Sequence, residues 1–153
     1  MSGVADNISN KLPSISSDEE FSKALKLMDI LVYICIGYSG WLVWAFGVTY
    51  LGVSFITALV NIIVYGILAA GAFAMKLLIA QRDHEKLKLV SLIFWGIAAY
   101  SIVDGLYYGI IAFGFNIGYL LQKVFHGALV FVVAAQAVRI RMCPFYLSAS
   151  SSV

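Results

Sequence analysis

The sequence predicts an all-α, integral membrane four-helix transmembrane bundle with N and C termini cytoplasmic. Hydrophobic residues fill 62% of 153 positions and charged ones only 12%, against about 25% charged in a soluble domain. Mean hydropathy is +0.94. The apolar residues gather in runs at 28–50, 53–80, 88–113 and 117–138, and a helix needs about 20 of them to cross a hydrocarbon layer of about 30 Å. Runs such as "VSFITALVNIIVYGILAAGAFAM" show no strict alternation, so barrel strands are excluded and helices remain.

The first segment, 1–16, holds Pro13 with several Ser and Asn and reads as a disordered cytoplasmic tail. It has neither the basic start and short apolar core of a secretory signal nor the Arg-rich, acid-poor character of a transit peptide, so the first span is expected to be an uncleaved signal-anchor. At 17–27, Ser17 and Glu20 have capping-box spacing, and Phe21, Ala24, Leu25 and Met28 recur with helical period. A short amphipathic interfacial helix is predicted there, lying on the leaflet before the first span; a helix that docks a partner is the alternative. Trp41, Trp44 and Tyr50 then gather at one end of the first span, and Tyr107, Tyr108 and Tyr119 at the matching ends of the third and fourth, as an aromatic belt would.

The polar loop "QRDHEKLK" joins spans two and three. One imidazole, His84, between Asp83 and Glu85 falls short of a metal-ligand set, and the loop reads as a solvated turn facing anionic headgroups. After span four comes a cytoplasmic C-terminal tail, 139–153, "RIRMCPFYLSASSSV". Cys143 stands just beyond two arginines, where reversible lipidation by palmitate occurs. Ser151 and Val153 give the Ser-x-Val shape accepted by carboxylate-binding domains, so a cytoplasmic partner at this tail is a candidate.

Orientation follows from the basic residues. Lys11, Lys23, Lys26, Lys76, Arg82, Lys86, Lys88, Arg139 and Arg141 all fall on the side of both termini, and only Lys123 belongs to the other half. The positive-inside rule makes the first side cytoplasmic. A disulfide between Cys35 and Cys143 is not expected, because one lies in the lipid span and the other faces the reducing side. The expected location is multi-pass in a secretory-pathway, vesicle or plasma membrane rather than a mitochondrial one. Expected partners are membrane lipids and a second copy of the chain, as a homo-oligomer, or a larger membrane complex; no nucleic acid is expected.

Helices in lipid approach closely where small residues recur at four-residue spacing. Ser101, Gly105 and Gly109 on the third helix and Gly66, Ala70 and Ala74 on the second have it. Both stripes are predicted helix-packing seams, within one bundle or between protomers.

The sharpest feature is Asp104, an acid inside "AAYSIVDGLYYGII". Counted from the outer turns at 1.5 Å per residue, Asp104, His126, Asn61 and Ser39 all come to roughly 15–18 Å, one intramembrane polar layer, and Lys123 reaches it with its long stem. Tyr100, Asp104, Tyr107 and Tyr108 share a face of helix three; Tyr119, Gln122 or Lys123, and His126 share one of helix four. The candidate cluster is therefore Asp104, Lys123, His126, Asn61, Tyr100, Tyr107 and Gln122. An unpaired acid at mid-bilayer costs about 2.5–3.5 kcal/mol, so Asp104 should face inward with Lys123 or His126, and the sequence leaves both open. The cluster is either a proton, ion or ligand site or glue between helices. Ion paths need polar groups from face to face, and the cytoplasmic halves of the spans hold few beyond Gln136.

Catalysis is not expected. There is no close cysteine pair for disulfide exchange, no second intramembrane histidine for a haem, no nucleophile and base for hydrolysis, and no phosphate loop. Cofactors and metals are accordingly expected to be none. The layout, together with "GYSGWLVWAFG" at 37–47, resembles the MARVEL-type tetraspan proteins of vesicles and membrane junctions. That resemblance implies a non-enzymatic tetraspan that organises membrane or vesicle domains or assembles laterally. The very short outer turns and lack of paired outer cysteines depart from it and set junctional function aside. The alternative from the residues is a small oligomeric channel or transporter using the Asp/Lys/His cluster.

Overall fold

The computed structural model describes residues 15–48, 51–112, 114–144 and 146. Helix α1 covers Asp18–Leu42 and widens into a π-helical turn at Val43–Gly47; α2 is Phe55–Gln81; α3 is His84–Leu106 with a π-helical end at Tyr107–Ala112; α4 is Ile117–Arg141. All four are long and apolar enough to cross a membrane, and no strand occurs among the described residues. At 27 residues, α2 is roughly 40 Å long. The antiparallel helices form a ring in chain order, α1 beside α2, α2 beside α3, α3 beside α4 and α4 beside α1, with α3 and α4 sharing the longest seam. One end of the bundle carries Asp18, the α2–α3 loop and Arg141 and is called here the charged end; the other carries the two short turns.

Side-chain caps set the helix starts. Ser17 Oγ accepts from Glu20 N at 3.2 Å, and the Glu20 carboxylate reaches back to Ser16, 2.8 Å from its N and 3.0 Å from its Oγ. The box closes one residue earlier than its usual form, where the acid returns to the cap residue itself. Ser54, Asp83 and Asn116 cap α2, α3 and α4 in the same way. Helix α2 ends in a Schellman turn: Arg82 is left-handed at φ 56°, its N–H donates to Ile79 O, and Asp83 N–H donates to Leu78 O. Gly114 and Phe115, both at φ 63°, turn the chain between α3 and α4.

Segment 17–27, expected as a separate helix on the leaflet, is instead the first part of α1, continuous with the span. Its apolar face packs on the bundle, with Ala24 and Met28 buried. Gln136 Nε2 on α4 donates to Ala24 O at 3.0 Å and fixes that start to the core.

The core is the shared interior of the ring, where Val32, Cys35, Ala72, Met75, Phe94 and Val133 are buried together. The stripe on α3 sits at the α3–α4 seam. A Cβ added to Gly105 would stand 2.6 Å from Lys123 Cβ, and one on Gly109 2.9 Å from Leu120 Cβ. From the other side, Gly127 of α4 admits Ile102 and the Ala98 carbonyl. The α2 stripe expected from spacing is not a seam within the bundle: a Cβ on Gly66 would meet nothing within 4 Å, and Ala70 is exposed. The buried face of α2 is Leu68, Ala72, Met75 and Ile79, with Gly71 making room for the Phe94 ring. Small residues occur on several faces of α2, so spacing alone does not select the face that packs within the bundle.

Candidate functional site

Asp104 lies near the turn end of α3, on the edge that faces α4. The small residues beside it let α4 approach, and Lys123 Nζ comes to 2.9 Å from Asp104 Oδ2. Tyr119, one turn before Lys123, donates its hydroxyl to the same Oδ2 at 2.8 Å. The Lys123 ammonium also lies 5.4 Å from the Tyr119 ring centre. The acid side chain is 9% exposed and the lysine 20%, so the pair is largely removed from its surroundings. A carboxylate with a cation and a hydroxyl donor is a charge-assisted arrangement and leaves no uncompensated charge between the helices.

His126 is not part of this pair. Three residues beyond Lys123, it is turned about 60° around α4, into the bundle, where it is 7% exposed. Its ring packs between Tyr38, at 5.9 Å, and Tyr65, at 6.0 Å, within a group of rings that includes Phe46 and Phe125.

The other expected members separate. Asn61 Nδ2 donates to Phe46 O at 2.8 Å and closes a carbonyl in the π-helical end of α1; orphan carbonyls at a helix end need such a partner. Tyr100 is 70% exposed and points away from the bundle. Tyr107 is half-exposed against Tyr108, the two rings edge to face at 5.0 Å. Gln122 is half-buried and is not among the groups that hold Asp104. The single polar layer expected from depth counting is therefore a local Asp104–Lys123–Tyr119 contact, a separate Asn61 clasp and an aromatic group around His126. Equal depth does not mean equal position around a helix.

A second ion pair escaped the sequence reading. Lys76 Nζ on α2 lies 3.0 Å from Asp29 Oδ1 on α1 and 3.2 Å from the Tyr33 hydroxyl, and also stands over the Tyr33 ring. Counting from the turn near Leu51 would have flagged it, since Asp29 is 22 residues before that turn and Lys76 25 after.

Beyond α4, Tyr146 docks at the charged end against α2 and the α2–α3 loop. Tyr146 is 1% exposed; its hydroxyl donates to Leu78 O at 3.3 Å, and its ring packs edge-on to His84 at 4.5 Å. Burial pushes the Tyr146 hydroxyl pKa up, helped by the negative charge of Asp83. Cys143, the candidate lipidation site, is buried at 1% exposure, in the same core group as Ile140 and Tyr146. Ser151 and Val153 lie outside the described residues.

The four apolar helices are consistent with a multi-pass integral membrane protein. No family model, no curated protein and no solved structure matches the chain.

Proposed function

We propose that this chain is a non-enzymatic tetraspan membrane protein that works by lateral association, with itself or within a larger membrane complex, and so organises a membrane or vesicle domain. Both termini face the cytoplasm in this reading, by the distribution of Lys and Arg. The observation that carries it is the outward surface. Only 22–28% of the most apolar stretch of each helix is buried within the chain, and large side chains such as Trp44, Ile56, Ile67, Val103 and Ile111 are exposed on successive helices. A surface so apolar on all sides is matched by lipid and by neighbouring helices. The polar cluster supports the same reading: Asp104 is closed by two donors from the adjacent helix and acts as glue between α3 and α4.

Reconstitution tests it. The wild-type chain is expected to carry no ion or proton flux above protein-free vesicles and to run in native-lipid particles at a multiple of its 16.7 kDa mass. Asp104→Asn should lower thermal stability or change that multiple. Flux in the wild type that Asp104→Asn abolishes while assembly is unchanged would establish a transporter instead.

A further inference from the structure

At the charged end, one imidazole meets one phenol where hydrogen-bond acceptors are scarce. His84 opens α3. As a residue it is half-buried, but its Nε2 is enclosed and has no hydrogen-bond partner among the described residues. Arg141 Nε, at the end of α4, is enclosed and unpartnered in the same way. The Tyr146 ring stands edge-on to the imidazole at 4.5 Å, and its hydroxyl is committed to Leu78 O.

A neutral imidazole tolerates this setting with Nε2 as a bare acceptor. An imidazolium does not, because Nε2 then carries a proton, and an enclosed donor without an acceptor loses its hydration outright. The surrounding charges divide. Arg141 of α4 opposes a second positive charge on His84, as does the positive pole at the start of α3. Glu85 and Asp83 favour it, but Asp83 already pairs with Lys86 and caps the helix. Around Tyr146 stand Asp83, Arg82 and Arg141. Asp29 and Lys76, which line the cleft that Tyr146 and Arg82 share, are paired with each other.

The two partners differ in how they are held. His84 belongs to the first turn of a span, whereas Tyr146 lies beyond α4 and its hydroxyl makes one hydrogen bond, at 3.3 Å, to α2. Tyr146 can therefore leave without disturbing a span. We propose that His84 and Tyr146 form an acid-released latch, in which protonation of His84 undocks Tyr146 from α2 and the α2–α3 loop. The docked form binds fewer protons than the free one. Docking is thus complete above the ordinary imidazole value of about 6.5 and weakens as pH falls below it. The inference rests on the docking of Tyr146 and not on lateral assembly.

Ring NMR of the full chain in lipid particles, followed from about pH 8 to about pH 5, tests it. His126 is the only other histidine in the sequence, so His126→Phe assigns the two signals. By linkage, Tyr146→Ala should move the His84 titration upward, toward about 6.5. Release itself is read at Cys143 with a dipyridyl disulfide, which reacts in mild acid, each rate being divided by that of Tyr146→Ala at the same pH. This ratio should be small at about pH 7.5 and rise at least three-fold by about pH 5.5, within a ceiling of about ten-fold set by one pH unit below the free value. His84→Phe keeps a ring against Tyr146 and should flatten the response, while His126→Phe should leave it intact. A His84 titration unmoved by Tyr146→Ala, a ratio constant with pH, or a rise that survives His84→Phe would overturn the proposal. So would a parent rate at neutral pH equal to that of Tyr146→Ala, since Tyr146 would then hold nothing shut.

Discussion

Gly105 lies directly beneath Lys123: a Cβ built on the glycine would stand 2.6 Å from the lysine Cβ. The ion pair and the close-packing stripe are thus one device, in which the residue after Asp104 lets the helix carrying its partner approach. Gly105→Ala forces α4 outward or bends the Lys123 stem. It is expected to cost about 1–3 kcal/mol, the range for overpacking a tight contact. Thermal unfolding in lipid particles measures it, and an unchanged midpoint would show that the seam has slack.

The pair itself is best tested by removing one charge and then both. Asp104→Leu leaves the Lys123 ammonium largely buried, beside the Tyr119 ring and hydroxyl but with no carboxylate partner. The expected cost is about 3 kcal/mol, the lower end for breaking a buried pair, because the lysine retains some exposure. Asp104→Leu with Lys123→Met takes away both charges and should recover most of that loss. A double variant no better than the single would mean that Lys123 does not depend on Asp104.

His126 offers a contrast on the same helix. Its ring contacts are with Tyr38 and Tyr65, not with the acid. His126→Phe keeps an aromatic ring of similar size and should cost less than about 1.5 kcal/mol, well below Asp104→Leu. If the two cost the same, the imidazole belongs to the ion pair after all.

These contrasts explain what was legible in the sequence. Asp104 stood out because one acid in an apolar run is expensive, and the α3 stripe because its small residues and the acid lie on one helix edge. The choice of Lys123 over His126 was not legible, since it depends on a rotation of about 60° around α4 that spacing leaves undefined. The Asp29–Lys76 pair was missed because depth counting was applied only near mid-membrane, whereas these residues lie 22 and 25 positions from the Leu51 turn, toward the charged end. The start of α1 was misplaced for a related reason: a face that packs on a bundle and one that lies on a leaflet have the same period, and what separates them is tertiary, the burial of Ala24 and Met28 and the Gln136 bond to Ala24 O.

The α2–α3 loop carries a pH-dependent element. The Lys86 side chain, and then its backbone N–H, hold the Asp83 carboxyl below the usual carboxylate range, at 2.8 Å and 3.1 Å. Because the folded value is depressed, the stabilisation is complete above the ordinary value of about 3.9 and is lost as pH falls through it toward the folded value. Protection of the amides in the first turn of α3, taken relative to their intrinsic exchange rate at the same pH, should therefore fall below about pH 4, and Asp83→Ala should show little protection there at every pH. An Asp83→Ala variant as protected as the parent at neutral pH would show that the cap does not hold this turn.

The docked Tyr146 makes the last prediction. Tyr146 bonds Leu78 O and packs on His84, and Cys143, three residues before it, is buried in the same core group. A buried thiol reacts only when its cover opens, so labelling by a soluble maleimide should be slow in the parent protein. Tyr146→Ala removes both anchors and is expected to raise the Cys143 rate at least ten-fold, whereas Tyr146→Phe, which keeps the ring contact, should fall between them. Cys35, buried in the bundle interior, serves as the internal control and should stay unlabelled in all three. Parent labelling as fast as in denatured protein would mean that the segment is undocked in solution. Slow labelling would make release of Tyr146 the step that any acylation of Cys143 must await.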